Sequence, residues 1–456
     1  MKTTLKLALL SFCLHALAAH GALMMTNVAA GYAHSLFLNP GGGVLAFGYN
    51  SNGQLGDGTT SNTNRPEQIS VDGIVAAAAG EYHSLLLKSD GSLWAMGYNY
   101  YGQLGDGTRF QTNKAEQIVP SGVAAIACGS SHSLFLRSDG SLWGMGYNHW
   151  GHLGDGSNND VNATPAQIVS GGVVAIAAGG SHSLFIKSDG SLWAMGYNPL
   201  GALGDGTFTM TNQPEKIVDS GVVAIAGGSY FSLFAKSDGS LWAMGDDYYG
   251  QLGDGTNAAA ANGYVQRSNV PKQVMQSGVI AVAAGDSHSL VLESDGSLWT
   301  MGYNNFGQLG DGTLNATNRP ELIVATGVVA IAARHNHSLF VKSDGSLWGM
   351  GDNLNGDLGD GFTTISARVE QIYPTPSLLL RSAISSGTNL LLRAGCPFAG
   401  NFALLSSTNF ALPLGQWTPI LTNSVTASRS TNNFSTTLTN VFSLGAPQQF
   451  YILRSQ

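Results

Sequence analysis

The tetrapeptide Leu-Gly-Asp-Gly returns seven times along the chain, with its aspartates at Asp57, Asp106, Asp155, Asp205, Asp254, Asp311 and Asp360. The intervals are 49, 49, 50, 49, 57 and 49 residues, and the long one carries the insertion NAAAANGYVQRSNVPK. A period near 50 marks one supersecondary unit that cannot bury its own apolar face, so neighbouring units must stack and share a core. A second phrase, SDGSLW, occurs six times and sets Trp94, Trp143, Trp193, Trp242, Trp299 and Trp348 at matching positions, with Leu45 in that place in the first unit.

One unit, GVVAIAAGGSHSLFIKSDGSLWAMGYNPLGALGDGTFTMTNQPEKIV, reads as four short strands. VVAIAA is a run of small apolar residues suited to a strand buried on both faces in a crowded place. HSLFIK and SLWAMG come next, joined through Ser-Asp-Gly-Ser by an expected two-residue Asp-Gly hairpin. PEKIV supplies the fourth strand at an outer edge, where the missing donor of a proline is tolerated. Four antiparallel strands repeated seven times predict an all-β chain, a seven-bladed β-propeller of ~50-residue repeats followed by a small β module. The 61 glycines in 456 residues agree, being too many for helices and following no collagen period.

The phrase GEYHSLLLKSDGSLWAMGYNYYGQLGDGT at 80–108 resembles the signature of the regulator of chromosome condensation repeat family. That signature is G-x-x-H-S-x-x-L followed by G-S-L-W-x-M-G-x-N-x-x-G-Q-L-G-D-G, and the resemblance covers about residues 26–395 in register from unit to unit. It implies a seven-bladed propeller closed into a ring. It also implies a likeness to the bacterial secreted type, which includes a protein inhibitor of β-lactamases. Eukaryotic members of the family include a nucleotide-exchange factor for a small GTPase that docks on chromatin.

The N-terminus has the pattern of an export signal over 1–22: Lys2 and Lys6, then the apolar LALLSFCLHALAA, then small residues. The apolar stretch is shorter than the roughly 20 residues of a membrane span, so no transmembrane segment is expected after cleavage. The domains are therefore expected to be a signal peptide at 1–22, the propeller at 23–395 and the β module at 396–456, whose composition shifts to Ser, Thr and Asn. Segment 376–395 looks like a degenerate unit and is expected to complete the ring beside the first one. The expected location is the cell envelope or outside the cell. Of three cysteines, Cys13 leaves with the signal, Cys128 fills an alanine-like slot in AIACG, and Cys396 begins the tail; no disulfide framework or zinc spacing results. A formal charge of −8 argues against a nucleic-acid partner, because such binding needs Lys and Arg to neutralise phosphates.

Each Leu-Gly-Asp-Gly loop offers one carboxylate, as at Asp106, which suits an aspartate bonding its own turn better than calcium and its six to eight oxygens. One histidine recurs per unit, at His34, His83, His132, His182, His288 and His337, with Phe231 in the remaining unit. Spread around a ring, these cannot share a metal; the His-Ser pair is expected to satisfy backbone groups where the first strand turns into the second. Trp94 and its equivalents alternate with Met as filling between blades. No metal or cofactor is expected. No nucleophile elbow, HExxH, phosphate loop or dinucleotide fingerprint occurs, so the chain reads as a non-enzyme.

Within Gly-Tyr-Asn-x-x-Gly the middle pair varies, from Ser51-Asn52 and Pro199-Leu200 to Tyr100-Tyr101, His149-Trp150, Tyr248-Tyr249, Asn305-Phe306 and Leu354-Asn355. Strand direction places these tips and the loops before His-Ser on one face, and the Asp-Gly hairpins on the other. Tyr and Trp bring large contact area at low entropic cost and dominate hot spots. The chain is thus expected to be an exported, non-enzymatic scaffold that binds a protein through one face. Tyr100, Tyr101, His149, Trp150, Tyr248, Tyr249, Asn305 and Phe306 are the candidate contacts, and Asp106, Trp94 and His83 stand for the structural repeat. The alternatives are cell-surface adhesion or glycan binding, guanine-nucleotide exchange (disfavoured by the export signal), and an enzyme whose site is assembled across blades.

Overall fold

Four consecutive strands pair in sequence order to form one antiparallel sheet, and seven such sheets follow one another along the chain. These blades 1 to 7 occupy 28–69, 74–119, 123–169, 173–218, 222–275, 279–324 and 328–373. The computed structural model describes residues 28–39, 43–69, 71–256 and 266–373, and beyond them the strands Leu379–Ser386, Asn389–Gly395, Gly400–Ser407, Thr418–Val425, Asn433–Leu438 and Phe450–Ser455. The expected signal at 1–22, Cys13, Cys396 and 257–265 of the insertion lie outside the described residues. No helix occurs among the described residues, and the all-β seven-bladed propeller is the observed fold.

The core lies between blades. Leu85, Leu87 and Leu93 of blade 2 cluster with Val123, Phe135 and Met145 of blade 3, and Trp143 of blade 3 closes that cluster. The pattern repeats between blades 1 and 2, 3 and 4, and 4 and 5, with Trp94, Trp193 and Trp242 in the same place. Burying one Leu or Phe contributes about 1.5–3 kcal/mol, so a blade gains most of its stability only when its neighbour is present. The indole polar edge is satisfied within its own hairpin. Trp94 Nε1 donates to Ser92 Oγ at 2.9 Å, the Ser92 hydroxyl donates to Asp90 Oδ1 at 2.6 Å, and the Lys88 ammonium lies 4.4 Å from the ring centroid.

That hairpin differs from the expected two-residue loop. Lys88 N donates to Ser92 O at 3.0 Å and Gly91 N donates to Lys88 O at 2.9 Å, which encloses three residues, Ser89-Asp90-Gly91. Gly91 has φ 79° while Asp90 stays at negative φ, so the loop is a turn closed by a left-handed glycine; the primed two-residue turn needs positive φ at both positions. The first strands also differ from expectation. Val123–Cys128 is buried at its ends and half-buried between them, because successive first strands line the ring rather than sit inside a sheet stack. The fourth strands, with Pro66, Pro165, Pro214, Pro271 and Pro320, are the outer edges in every blade that has one.

Each blade draws its four strands from its own repeat, so the ring closes without a borrowed strand. Val28–Ala30 of blade 1 lies against the first two strands of blade 7. Segment 376–395, expected to complete the ring, pairs elsewhere: Leu379–Ser386 and Asn389–Gly395 form a three-stranded sheet with Asn433–Leu438. A second three-stranded sheet places Gly400–Ser407 between Thr418–Val425 and Phe450–Ser455.

A hydrogen-bonded ring beneath an aromatic face

The histidines join one blade to the next. His34 Nε2 bonds Ser84 Oγ at 2.9 Å, His83 bonds Ser133 at 2.9 Å, His132 bonds Ser183 at 3.0 Å and His182 bonds Ser232 at 2.8 Å. After Phe231 interrupts the series, His288 bonds Ser338 at 2.8 Å and His337 bonds Ser35 at 3.0 Å, which ties blade 7 to blade 1. Each serine hydroxyl donates its one proton to a carbonyl of the preceding blade, as Ser84 does to Gln54 O at 2.8 Å and Ser35 to Asp357 O at 2.7 Å. The imidazole must therefore donate through Nε2 and stay neutral, which leaves Nδ1 bare in His34, His83, His132, His288 and His337. Burial holds His34, His83, His288 and His337 down to a pKa of about 3 and His182 to about 4. So His83 satisfies the neighbouring blade's serine rather than its own turn.

The Leu-Gly-Asp-Gly loops are closed by local bonds. Asp106 Oδ1 accepts from Thr108 N at 2.8 Å and from Asn99 Nδ2 at 2.9 Å, and Oδ2 accepts the Thr108 hydroxyl at 2.7 Å. Asn99 Oδ1 in turn accepts from Leu104 N at 3.0 Å. Blade 5 replaces this asparagine with Asp247, which still accepts from Leu252 N at 2.9 Å but has no amide to offer Asp254. Lys272 Nζ reaches Asp254 Oδ2 at 2.6 Å instead. Burial, with the nearby Asp254 charge adding, pushes the Asp247 carboxyl up to about 6. A raised carboxyl pKa penalises the folded state fully above that value, and the penalty disappears as pH falls toward the unfolded value near 3.9. Asp247→Asn is therefore expected to add about 2 kcal/mol of stability at pH 7 and almost none near pH 4. Urea unfolding at the two pH values measures this; an equal gain at both would rule out the charge as the cause.

Above the ring, the expected face is observed: Tyr98 N donates to Tyr82 O at 2.8 Å, so the Gly-Tyr-Asn loops and the loops before His-Ser share one end of the blades. Their rings form a chain. From His335 it runs to Tyr32 at 3.7 Å, Tyr82 at 5.4 Å, Tyr98 at 6.3 Å, Tyr100 at 6.4 Å, Tyr101 at 5.1 Å and Tyr147 at 4.6 Å. It continues through His149 at 6.1 Å, Trp150 at 4.3 Å, Tyr197 at 5.5 Å and Tyr230 at 5.6 Å. A second run joins Tyr248, Tyr249, Tyr303 and Phe306. Asp246 and Asp352 stand where the Gly-Tyr-Asn tyrosine would be in blades 5 and 7.

The two members of each varying pair do different work. Tyr100 and Tyr248 are each 53 % exposed, and His149 and Asn305 are exposed as well. Tyr101 and Trp150 are half-buried against Tyr147 and Tyr197 of the following blade, and Tyr249 lies 4.5 Å from Tyr303. In the Tyr100-Tyr101 and His149-Trp150 pairs only the first member is a free tip, because the ring brings the next blade's tyrosine beside the second, whereas Tyr249 stays 39 % exposed beside Tyr303. Three groups not among the candidate contacts also belong to the face: the Gly-Tyr-Asn tyrosines, and, in loops that strand direction had already put on this side, the inner-loop Tyr32, Tyr82 and Tyr230 and the tips Phe110, Phe208 and Met210, of which Phe110 is 81 % exposed. The signal for the inner loops was the variable pair of Gly-x-x-His-Ser, which strand direction puts on the same side.

Sequence comparison matches the RCC1-like domain over residues 117–394, and regulator of chromosome condensation (RCC1) repeats over 41–87 and 90–136. Among solved structures, yeast RCC1 (Prp20) bound to Kap60 is 21 % identical, with a TM-score of 0.64 over 73 % of this chain and 83 % of that one. Saccharomyces cerevisiae Prp20p, described with its binding to Gsp1p and histones, is 22 % identical, with a TM-score of 0.63 over 73 % and 86 %. Human WBSCR16 is 24 % identical, with a TM-score of 0.63 over 75 % of this chain and 96 % of that one. At these identities the structures share the fold. The repeat signature, the seven blades and the domain match together place this chain in the RCC1-like domain family.

Proposed function

We propose that this chain is an exported, non-enzymatic propeller that binds another protein through its aromatic face. The observation that carries the reading is the ring chain itself. A rigid, blade-to-blade bonded frame presents Tyr100, Phe110 and Tyr248 to solvent while neighbouring rings hold their loops in place. Preorganised aromatic tips lose little entropy on contact and exclude water over a large area. Export rests on Lys2, Lys6 and the apolar stretch that follows them. Inhibition of an extracytoplasmic enzyme is the specific form of this reading that fits such a face.

The test is affinity capture from envelope and medium fractions with the mature chain and with a Tyr100→Ser, Phe110→Ser, Tyr248→Ser variant. These substitutions leave the half-buried Tyr101 and Trp150, and Tyr249 with its contact to Tyr303, intact, so the loops should keep their shape. A captured protein is expected to bind the variant at least about 30-fold more weakly, since hot-spot truncations cost about 2 kcal/mol or more. Equal binding by both, or capture of glycan in place of protein, sinks the reading.

A further inference from the structure

At the junction of blades 7 and 1 the aromatic chain meets carboxylates. Asp357 takes the position that Gln54, Gln103, Gln251 and Gln308 hold in their blades. Each of those glutamines makes at least one side-chain hydrogen bond, although Gln54 Nε2 and Gln103 Nε2 have no partner: Gln103 Oε1 accepts from Tyr101 N at 3.1 Å, and Gln308 Nε2 reaches Asn336 Oδ1, in the inner loop of the next blade, at 3.3 Å. Asp357 is one methylene shorter and 1 % exposed, and neither of its carboxylate oxygens has a hydrogen-bond partner. By the same repeat geometry the inner loop it faces is that of blade 1, which presents Tyr32. Asp352 replaces the belt tyrosine here and accepts from Leu354 N at 3.1 Å. Tyr32 stacks on His335 at 3.7 Å, and the backbone ties both carboxylate residues to these inner loops: Asp352 N donates to Asn336 O, next to His335, at 2.8 Å, and Asp357 O accepts from Ser35 Oγ of blade 1 at 2.7 Å.

The surrounding field is negative. Burial first, and then the charges of Asp286, Glu81, Asp352 and Asp357, hold the Tyr32 phenol above its ordinary pKa. The nearby guanidinium of Arg334 offsets part of the Glu81 charge but leaves both Asp357 oxygens without a partner. It points across the ring axis to blade 3, donating to Cys128 O at 3.4 Å and Ser130 Oγ at 3.1 Å. A buried carboxylate without a donor is unfavourable, and a cation brought by a partner removes that penalty.

We propose that this corner of the face receives a lysine or arginine side chain of the protein partner, its charge against Asp357 and Asp352 and its stem along the Tyr32–His335 stack. The proposal rests on the reading of the face as a protein-binding surface. It adds the chemistry of one central contact, a basic side chain held by charge-assisted hydrogen bonds and cation–π attraction.

The probe is N-acetyl-arginine methylamide, with N-acetyl-norleucine methylamide as the uncharged control, titrated into the full chain labelled with carbon-13 tyrosine. The Tyr32 resonance is identified by its loss in Tyr32→Phe. A saturable shift of Tyr32 is expected with the arginine probe alone, with the Tyr248 resonance unmoved. The dissociation constant should weaken about tenfold in Asp357→Asn and in Asp352→Asn, each checked for an undiminished thermal midpoint. No saturable shift, or undiminished affinity in both folded variants, overturns the proposal. The two readings fail separately. Tip-dependent protein capture without arginine binding sinks the corner alone, whereas arginine binding without protein capture sinks the face and leaves the corner standing.

Discussion

Lowering the pH from 7 to 5.5 is expected to remove about 5 kcal/mol from the stability of the propeller. The cause is the buried belt. His34, His83, His288 and His337 titrate near 3 in the folded chain, as does His152, and His132 lies well below its ordinary value. In the unfolded chain each titrates near 6.5. A histidine with a depressed folded pKa stabilises fully above the unfolded value, and that stability is lost as pH falls through 6.5 toward the folded one. Between pH 7 and 5.5 each ring loses about 1 kcal/mol, and with His182 there are seven such rings. Asp247 and Asp357, whose carboxyl pKa values burial raises, oppose this by becoming more favourable in acid. The net slope should be several protons taken up on unfolding. Urea unfolding followed by tryptophan fluorescence at half-unit pH steps measures it, and His83→Phe, which copies blade 5, should reduce the slope by one proton. A stability that stays flat from pH 7 to 5.5 would mean that the rings are not buried and neutral.

What was readable in advance follows the range of each interaction. The blades were legible because every strand pairs with its sequence neighbour, so one period carries a whole sheet. The recurring histidine and serine were visible too, but His83 bonds Ser133, exactly one repeat further along, and no single unit contains that pair. The tips were half right for the same reason: Tyr101 is tied down by Tyr147, a residue that only ring geometry brings near. The Ser-Asp-Gly-Ser hairpin was misassigned because Asp-Gly serves both two- and three-residue loops. The choice falls to Ser92, whose N–H and hydroxyl both hold Asp90 Oδ1 and keep Asp90 at negative φ. The tail misled through its likeness to a repeat start, since its strands pair across about forty residues with Asn433–Leu438. Asp357 was hidden within a repeated loop and becomes notable only beside the glutamines it replaces.

Gly80→Ala, at a buried glycine of an inner loop, is expected to destabilise the chain by about 3 kcal/mol. A Cβ there would lie 2.2 Å from His83 Cε1 and 2.8 Å from the Gly129 carbonyl oxygen of blade 3. The ring cannot swing away without giving up Ser133, and the carbonyl belongs to the neighbouring blade, so relief requires the two blades to part. The same glycine recurs at Gly31, Gly129, Gly179 and Gly285 under the same histidine. Blade 7 shows what a side chain demands at this place: Arg334 occupies it, and the next residue, His335, adopts a left-handed φ of 48°. Gly171→Ala is the control, because its Cβ would meet only Asp139 O at 3.9 Å and its φ is not left-handed; a neutral or slightly favourable effect is expected there. In a His83→Ala background the Gly80→Ala penalty should shrink but persist, since the approach to Gly129 remains. If Gly80→Ala unfolds at the same urea concentration as Gly171→Ala, the histidines do not pack under their glycines and the blade-to-blade belt is looser than its hydrogen bonds imply. If the penalty is large and falls only in part with His83 removed, the ring is held both by the imidazoles and by the close approach of successive inner loops, which is the rigidity a preorganised face requires.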